Sequence, residues 1–258
     1  MLVLLPPSEG KTAPDSGAPL DLGGLSSPGL TPWREKVLDA LVEVSARPDG
    51  VATLGVGSSL ADEVARNVRL RTSPTAPAAH VYTGVLYAAA GLADLSGEPA
   101  ALAARSVRVV SALWGLVAPD DAIPAYRLSM GTDLPGVGPL ARAWRDALAD
   151  ELDPRAADEL VVDCRSAAYL AAWRPTGAPA WVTVRVEREL DGKRSVVSHH
   201  AKHTRGVLTR HLVTRPGPVP ADAEQLAHAA GELVGSELHD VELAPAGRGA
   251  RVLSLVVR

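Results

Sequence analysis

Apolar and polar positions along the chain follow two different periods. Short, predominantly apolar runs at Leu2 to Leu5, residues 107–116 and residues 160–162 predict buried strands. Between them the spacing becomes helical. Thr31-Pro32 opens a helix to about residue 46, with Val37, Leu38, Leu41 and Val44 on one side. Ser58-Ser59 begins another through about residue 68, and residues 92–104, 139–152, 167–173, 202–213 and 221–234 read likewise. Trp181 to Glu187 alternates, Asp191-Gly192 turns the chain and Ser195 to Ser198 returns, which is a hairpin pattern. A last pair of strands, residues 240–243 and 251–257, flanks an Ala-Gly-rich turn. Strands interspersed with helices, plus two antiparallel hairpins, predict a single domain over residues 1–258. Its class is α+β or mixed α/β, with a mixed β-sheet flanked by helices.

Composition narrows the function. One cysteine, Cys164, leaves neither an internal disulfide nor a multi-cysteine zinc site, and a reducing cytoplasm is the expected location. No apolar run reaches the roughly 18 residues of a membrane span, and Met1 to Pro7 lacks the basic leader of a signal peptide. The net charge of −4 argues against a generally basic nucleic-acid coat but allows a local cationic cleft. Only four lysines (Lys11, Lys36, Lys193, Lys202) stand against 22 arginines. In that background a lysine flags a place for a compact cation with a tunable pKa.

Five segments carry candidate chemistry. Pro6-Pro7-Ser8-Glu9-Gly10-Lys11-Thr12 ends a strand with a lysine, but it lacks the first glycine of a P-loop, so a nucleotide triphosphatase is rejected. Residues 114–131 open a buried strand into a loop with Asp120, Asp121, Tyr126 and Arg127. There Arg127 either pairs with one of the aspartates to fix the loop or meets an anionic ligand. Leu134-Pro135-Gly136-Val137-Gly138 matches the hairpin of a helix-hairpin-helix DNA-binding element, with Gly136 and Gly138 letting backbone approach a phosphate; a plain turn capping a helix fits equally. Cys164 at a strand end is either a nucleophile or redox sensor or an inert packed side chain. Residues 198–211 hold four histidines, and on a helix Lys202, Arg205 and Thr209 lie near one cationic face. His199, His203 and His211 lack a carboxylate neighbour, so neither a metal site nor a cofactor is expected.

Taken in order, Leu2 to Lys11, Val81-Tyr82-Thr83-Gly84, Ser111 to Leu116, Pro124 to Gly131, Ala167-Ala168-Tyr169 and Ala201 to Gly206 resemble the YaaA family of bacterial peroxide stress proteins. The resemblance implies a mixed α/β domain with a cationic cleft and a helix-hairpin-helix-like element. It further implies DNA binding and a role in limiting iron-dependent oxidative damage. Lys11, Tyr82, Arg127, Lys202 and Arg205 would be the cleft residues.

Two functions follow. The first is a DNA-binding stress protein. Lys11, Arg127, Lys202, Arg205 and Arg210 would contact phosphates without strong sequence preference, and Tyr82 or Tyr126 would stack on an exposed base. The second is an enzyme on a small anionic nucleobase- or nucleotide-like substrate in the same cleft. A closed pocket favours the enzyme, and an open groove favours DNA.

Overall fold

The computed structural model describes residues 1–176, 180–190, 193–196, 198–247 and 249–258. An eight-stranded mixed sheet forms the centre. Its strands are β1 (Leu2–Leu5), β2 (Val107–Ser111), β3 (Gly115–Val117), β4 (Val161–Asp163), β5 (Trp181–Leu190), β6 (Lys193–Val196), β7 (Asp240–Leu243) and β8 (Arg251–Val257). The order across the sheet is β7-β8-β5-β4-β1-β2-β3, with β6 pairing β5. The pairs β1/β2, β1/β4, β4/β5 and β5/β8 are parallel; β2/β3, β5/β6 and β7/β8 are antiparallel. The longer helices are α1 (Thr31–Ser45), α2 (Ala61–Asn67), α3 (Val85–Ala90), α4 (Gly97–Ser106), α5 (Arg145–Asp158), α6 (Ser198–Thr214) and α7 (Ala223–Gly231). The expected single mixed α/β class is therefore the observed one.

Why these residues form these elements is plain at the centre. All four residues of β1 are wholly buried, as a strand in the middle of a parallel sheet requires. The expected side of α1 (Val37, Leu38, Leu41, Val44) is buried too, each side chain contributing about 1.5–3 kcal/mol by leaving water. Between them sits Arg34, fully buried. Its Nε donates to the Trp114 carbonyl (2.9 Å) and its Nη2 to those of Ser26 (2.6 Å) and Leu116 (2.9 Å). Desolvation lowers its pKa to about 10, with Asp121 opposing the shift.

Several boundaries differ from expectation. Residues 107–116 are not one strand. The chain folds back after Ser111, and Gly115 resumes it at φ +70, where a Cβ would lie 2.7 Å from Trp144. Residues 92–104 divide into a 3-10 turn (Leu92–Asp94) and α4. Residues 139–152 divide into a turn (Leu140–Ala143) and α5, and residues 167–173 supply only one turn, Ala167–Leu170. Helix α6 begins at Ser198, earlier than the spacing suggests, so His199 and His200 end no strand. The β5/β6 hairpin forms, while its turn residues Asp191 and Gly192 lie outside the described residues.

Leu134-Pro135-Gly136-Val137 closes a tight turn, with Val137 N–H donating to Leu134 O (2.9 Å) and Gly136 at φ +82. The flanking pairs Asp133–Leu134 and Gly138–Pro139 form a two-stranded ribbon. A helical turn follows, but residues 124–132 contain no helix, so the first half of a helix-hairpin-helix element is missing.

Candidate functional site

The sheet places a recess where its chain order reverses. From β1 the chain reaches β2 on one side, and later fills β4, β5 and β8 on the other. Loops leaving the carboxyl ends of β1 and β4 therefore part around a crevice, the usual ligand position in open α/β sheets. Here that crevice holds about 650 Å³. Residues 6–11 after β1, 54–56, 83–87, 127–129, Ser166 and Tyr169 after β4, and Lys202 of α6 line it.

Local sequence explains how each part arrives. Pro6-Pro7 cannot continue the ladder, so the chain leaves the sheet after Leu5. The segment then pairs with residues 81–82. Lys11 bridges Tyr82, and Thr12 N–H donates to Val81 O (3.0 Å). Lys11 consequently lies over two rings, its Nζ 4.4 Å from the centroid of Tyr126 and 5.7 Å from that of Tyr82. The same nitrogen donates to Ser8 O (2.8 Å). The ring faces favour the charged amine by about 0.5–2 kcal/mol. Burial opposes them, the Arg127 guanidinium adds to the opposition, and the pKa falls to about 7 against the pull of Glu63 and Glu9.

Tyr82 and Tyr126 are both buried under the Lys11 amine and do not themselves line the recess. Their hydroxyls are 3.0 Å apart, and Tyr126 reaches Ser111 Oγ at 2.7 Å. Burial raises both phenol pKa values. Neither ring is exposed to stack on a base, which corrects that expectation.

Arg127 is held at both ends. Its backbone is gripped by Asn67, and its Nη1 donates to Glu9 O (3.1 Å) and lies 3.5 Å from Glu63 Oε2. Of the two alternatives for Arg127, the pairing with Asp120 or Asp121 does not form. Asp121 instead accepts from Ser26 N (2.7 Å), Ser26 Oγ (2.6 Å) and Ala118 N (2.8 Å). The remaining nitrogens of the Arg127 guanidinium have no hydrogen-bond partner among the described residues. Lys202 Nζ stands 3.9 Å from Glu9 Oε1, with both side chains largely exposed.

Lys11, Arg127 and Lys202 thus meet around one space, with Tyr82 and Tyr126 below. Arg205 does not join them. It lines a neighbouring recess of about 350 Å³ with Arg165, Thr183 and Arg185, and its Nη2 donates to Val184 O (2.8 Å). The Lys202-Arg205-Thr209 face is also interrupted, since Thr209 is buried and donates to Arg205 O (2.8 Å). Arg210 turns to the carbonyls of Ala90 and Gly91 at the end of α3. Gly136 and Gly138 do not line the recess. Cys164 is fully buried, and desolvation pushes its thiol up to about 12, so it packs rather than reacts. His211 binds Glu232 (2.9 Å), and no group of three or more His, Cys, Asp or Glu gathers for a metal among the described residues.

Spacing gave no hint of Asn67 or Glu63, because each acts from an element remote in sequence. The chain is matched over residues 1–230 by the family model described as peroxide stress protein YaaA. It belongs to the YaaA family. A UPF0246 protein of Streptomyces coelicolor is 46% identical to this YaaA-family chain over 100% of its length and 98% of the relative's. Another from Corynebacterium efficiens is 44% identical over 91% of this chain and 94% of its own. One from Burkholderia ambifaria is 28% identical, covering 88% and 91%. No helix among the described residues is long and apolar enough to cross a membrane.

Proposed function

We propose that the recess binds a phosphate- or carboxylate-bearing ligand of about nucleotide size, with Arg127 and Lys202 on the anion and Lys11 at the floor. One observation carries this reading: three cationic side chains from distant parts of the chain converge at the sheet's switch point. The volume of about 650 Å³ is that of a small-molecule site. Calorimetric titration with nucleoside monophosphates and inorganic phosphate tests it. Arg127→Ala should weaken binding about tenfold or more, the cost of one charge-assisted contact. No saturable heat from any of these anions would discard the reading.

DNA is the second reading, supported by the exposure of Lys202 beside the recess (56%). A strand would lie against Lys202 and place a single nucleotide in the recess, as enzymes that act on extruded bases do. It would connect the fold to the protection from iron-dependent damage that the family resemblance implies. Affinity for duplex and single-stranded oligonucleotides across a salt series separates the two readings. DNA contact gives a logarithmic slope that falls with each phosphate neutralised, and a flat series removes it.

A further inference from the structure

We propose that Lys11 is a nucleophilic amine that forms an imine with an aldehyde or ketone carried on a phosphorylated ligand. The geometry sets this lysine apart from the chain's other described cations. Lys11 lines the recess of about 650 Å³ with its nitrogen over the rings of Tyr126 and Tyr82; Lys36 Nζ also lies over a ring, that of Trp33 (4.9 Å), but outside the recess. No carboxylate lies within ion-pair distance of Lys11 among the described residues; Lys202, by contrast, has Glu9 at 3.9 Å. The hydrogen bond from Lys11 to Ser8 O uses one N–H, and no second hydrogen bond holds the nitrogen among the described residues. Burial and the neighbouring Arg127 guanidinium lower its pKa from 10.5 to about 7, which favours the neutral amine. Desolvation beside another cation is a general way to activate an amine for attack on carbonyl carbon. Arginine, which offers no amine lone pair, supplies 22 of the chain's 26 Lys and Arg residues.

The reaction balances without a co-reactant. The Nζ lone pair adds to the carbonyl carbon, and the C=O π pair moves to oxygen. Nitrogen loses one proton as oxygen gains one, a second proton from water or hydronium converts the hydroxyl to leaving water as the nitrogen lone pair forms the C=N bond, and the product is the protonated imine. Arg127 would hold the phosphate while this occurs. That part rests on the anion-binding reading, whereas the reactivity of the amine does not.

The experiment uses the full chain with 2-deoxyribose 5-phosphate, free or as the abasic residue of an oligonucleotide, and sodium cyanoborohydride to reduce the imine. Intact mass should show one adduct, and peptide mapping should place it on Lys11. Its formation should be on the order of 100-fold faster than at Lys36, Lys193 or Lys202, the advantage of an amine whose pKa is lowered to about 7. Lys11→Arg should abolish it, and the rate should fall by half near pH 7 as the pH is lowered. The arm that reacts identifies the source of the aldehyde. Adduct spread evenly over the four lysines overturns the proposal. A carbonyl-free analogue, 1,4-anhydro-2-deoxyribitol 5-phosphate, separates the two failures. Analogue binding without adduct sinks the imine and spares the anion site; binding by neither compound removes both.

Discussion

Asn67 grips the peptide backbone of Arg127 from both sides. Its Nδ2 donates to Arg127 O (2.9 Å) and its Oδ1 accepts from Arg127 N (2.8 Å), while Nδ2 also reaches Ser45 Oγ (3.1 Å). Asn67 closes α2 and is wholly buried, so the register of the Arg127 loop is set from the helical layer rather than from the sheet. Asn67→Leu keeps the bulk but leaves buried backbone groups unpaired. It should cost about 1–3 kcal/mol in denaturant unfolding and weaken anion binding through a misplaced Arg127. Unchanged stability would mean the loop has another anchor.

Gly206 is where α6 crosses α3. A Cβ there would lie 2.2 Å from Leu86 O and 2.8 Å from the Ala89 Cβ, so the helices approach backbone to backbone. Gly206→Ala must push α6 outward, and Lys202 moves with it. A loss of about 1–3 kcal/mol is expected by thermal or denaturant unfolding. Ordinary helix propensity predicts the opposite sign, a gain of up to about 1 kcal/mol, so the direction alone decides between them.

Much of this arrangement could be read from residue order, and what could not has physical causes. The apolar runs of β1 and β4 and the buried side of α1 are dictated by burial, which leaves a local periodic trace. β7 and β8 match their expected bounds because an Ala-Gly-rich turn separates two apolar stretches. The β2/β3 fold-back was hidden, since Gly115 sits inside a mainly apolar run that Arg108 and Ser111 interrupt no less than it does. Within the recess, Lys11, Arg127 and Lys202 were legible as polar residues at element ends. Arg205 was misplaced by helix spacing, which gives an angle around the axis but not the neighbour that a long side chain finds. Asn67 left no trace, because its partner lies 60 residues away.

Cys164 offers a test of redox chemistry. Its thiol is fully buried, its backbone N–H donates to Leu4 O (2.9 Å), and its pKa is pushed up to about 12. The thiolate is the reactive form, so native protein should resist iodoacetamide and millimolar peroxide at neutral pH and react only after unfolding. Mass spectrometry before and after denaturation reads this directly. Rapid labelling of the folded chain would restore a sensor role.

Lys11 makes the stability of the fold depend on pH. Its folded pKa, about 7, lies below the ordinary 10.5, so between those values the unfolded chain binds more protons than the folded one. Stability must then rise with pH across that window, and the charge is carried into the fold at its full cost below about pH 7. Lys11→Met removes the charge and keeps most of the apolar stem. At pH 6 the variant should be more stable than the parent, by about 2 kcal/mol after allowance for solvent at the open side of the recess. The advantage should shrink as pH climbs toward 10. Urea midpoints at pH 6, 8 and 10 measure it, and a difference that stays constant across the three would show that the amine is charged throughout. That result would also withdraw the neutral nucleophile on which imine formation depends.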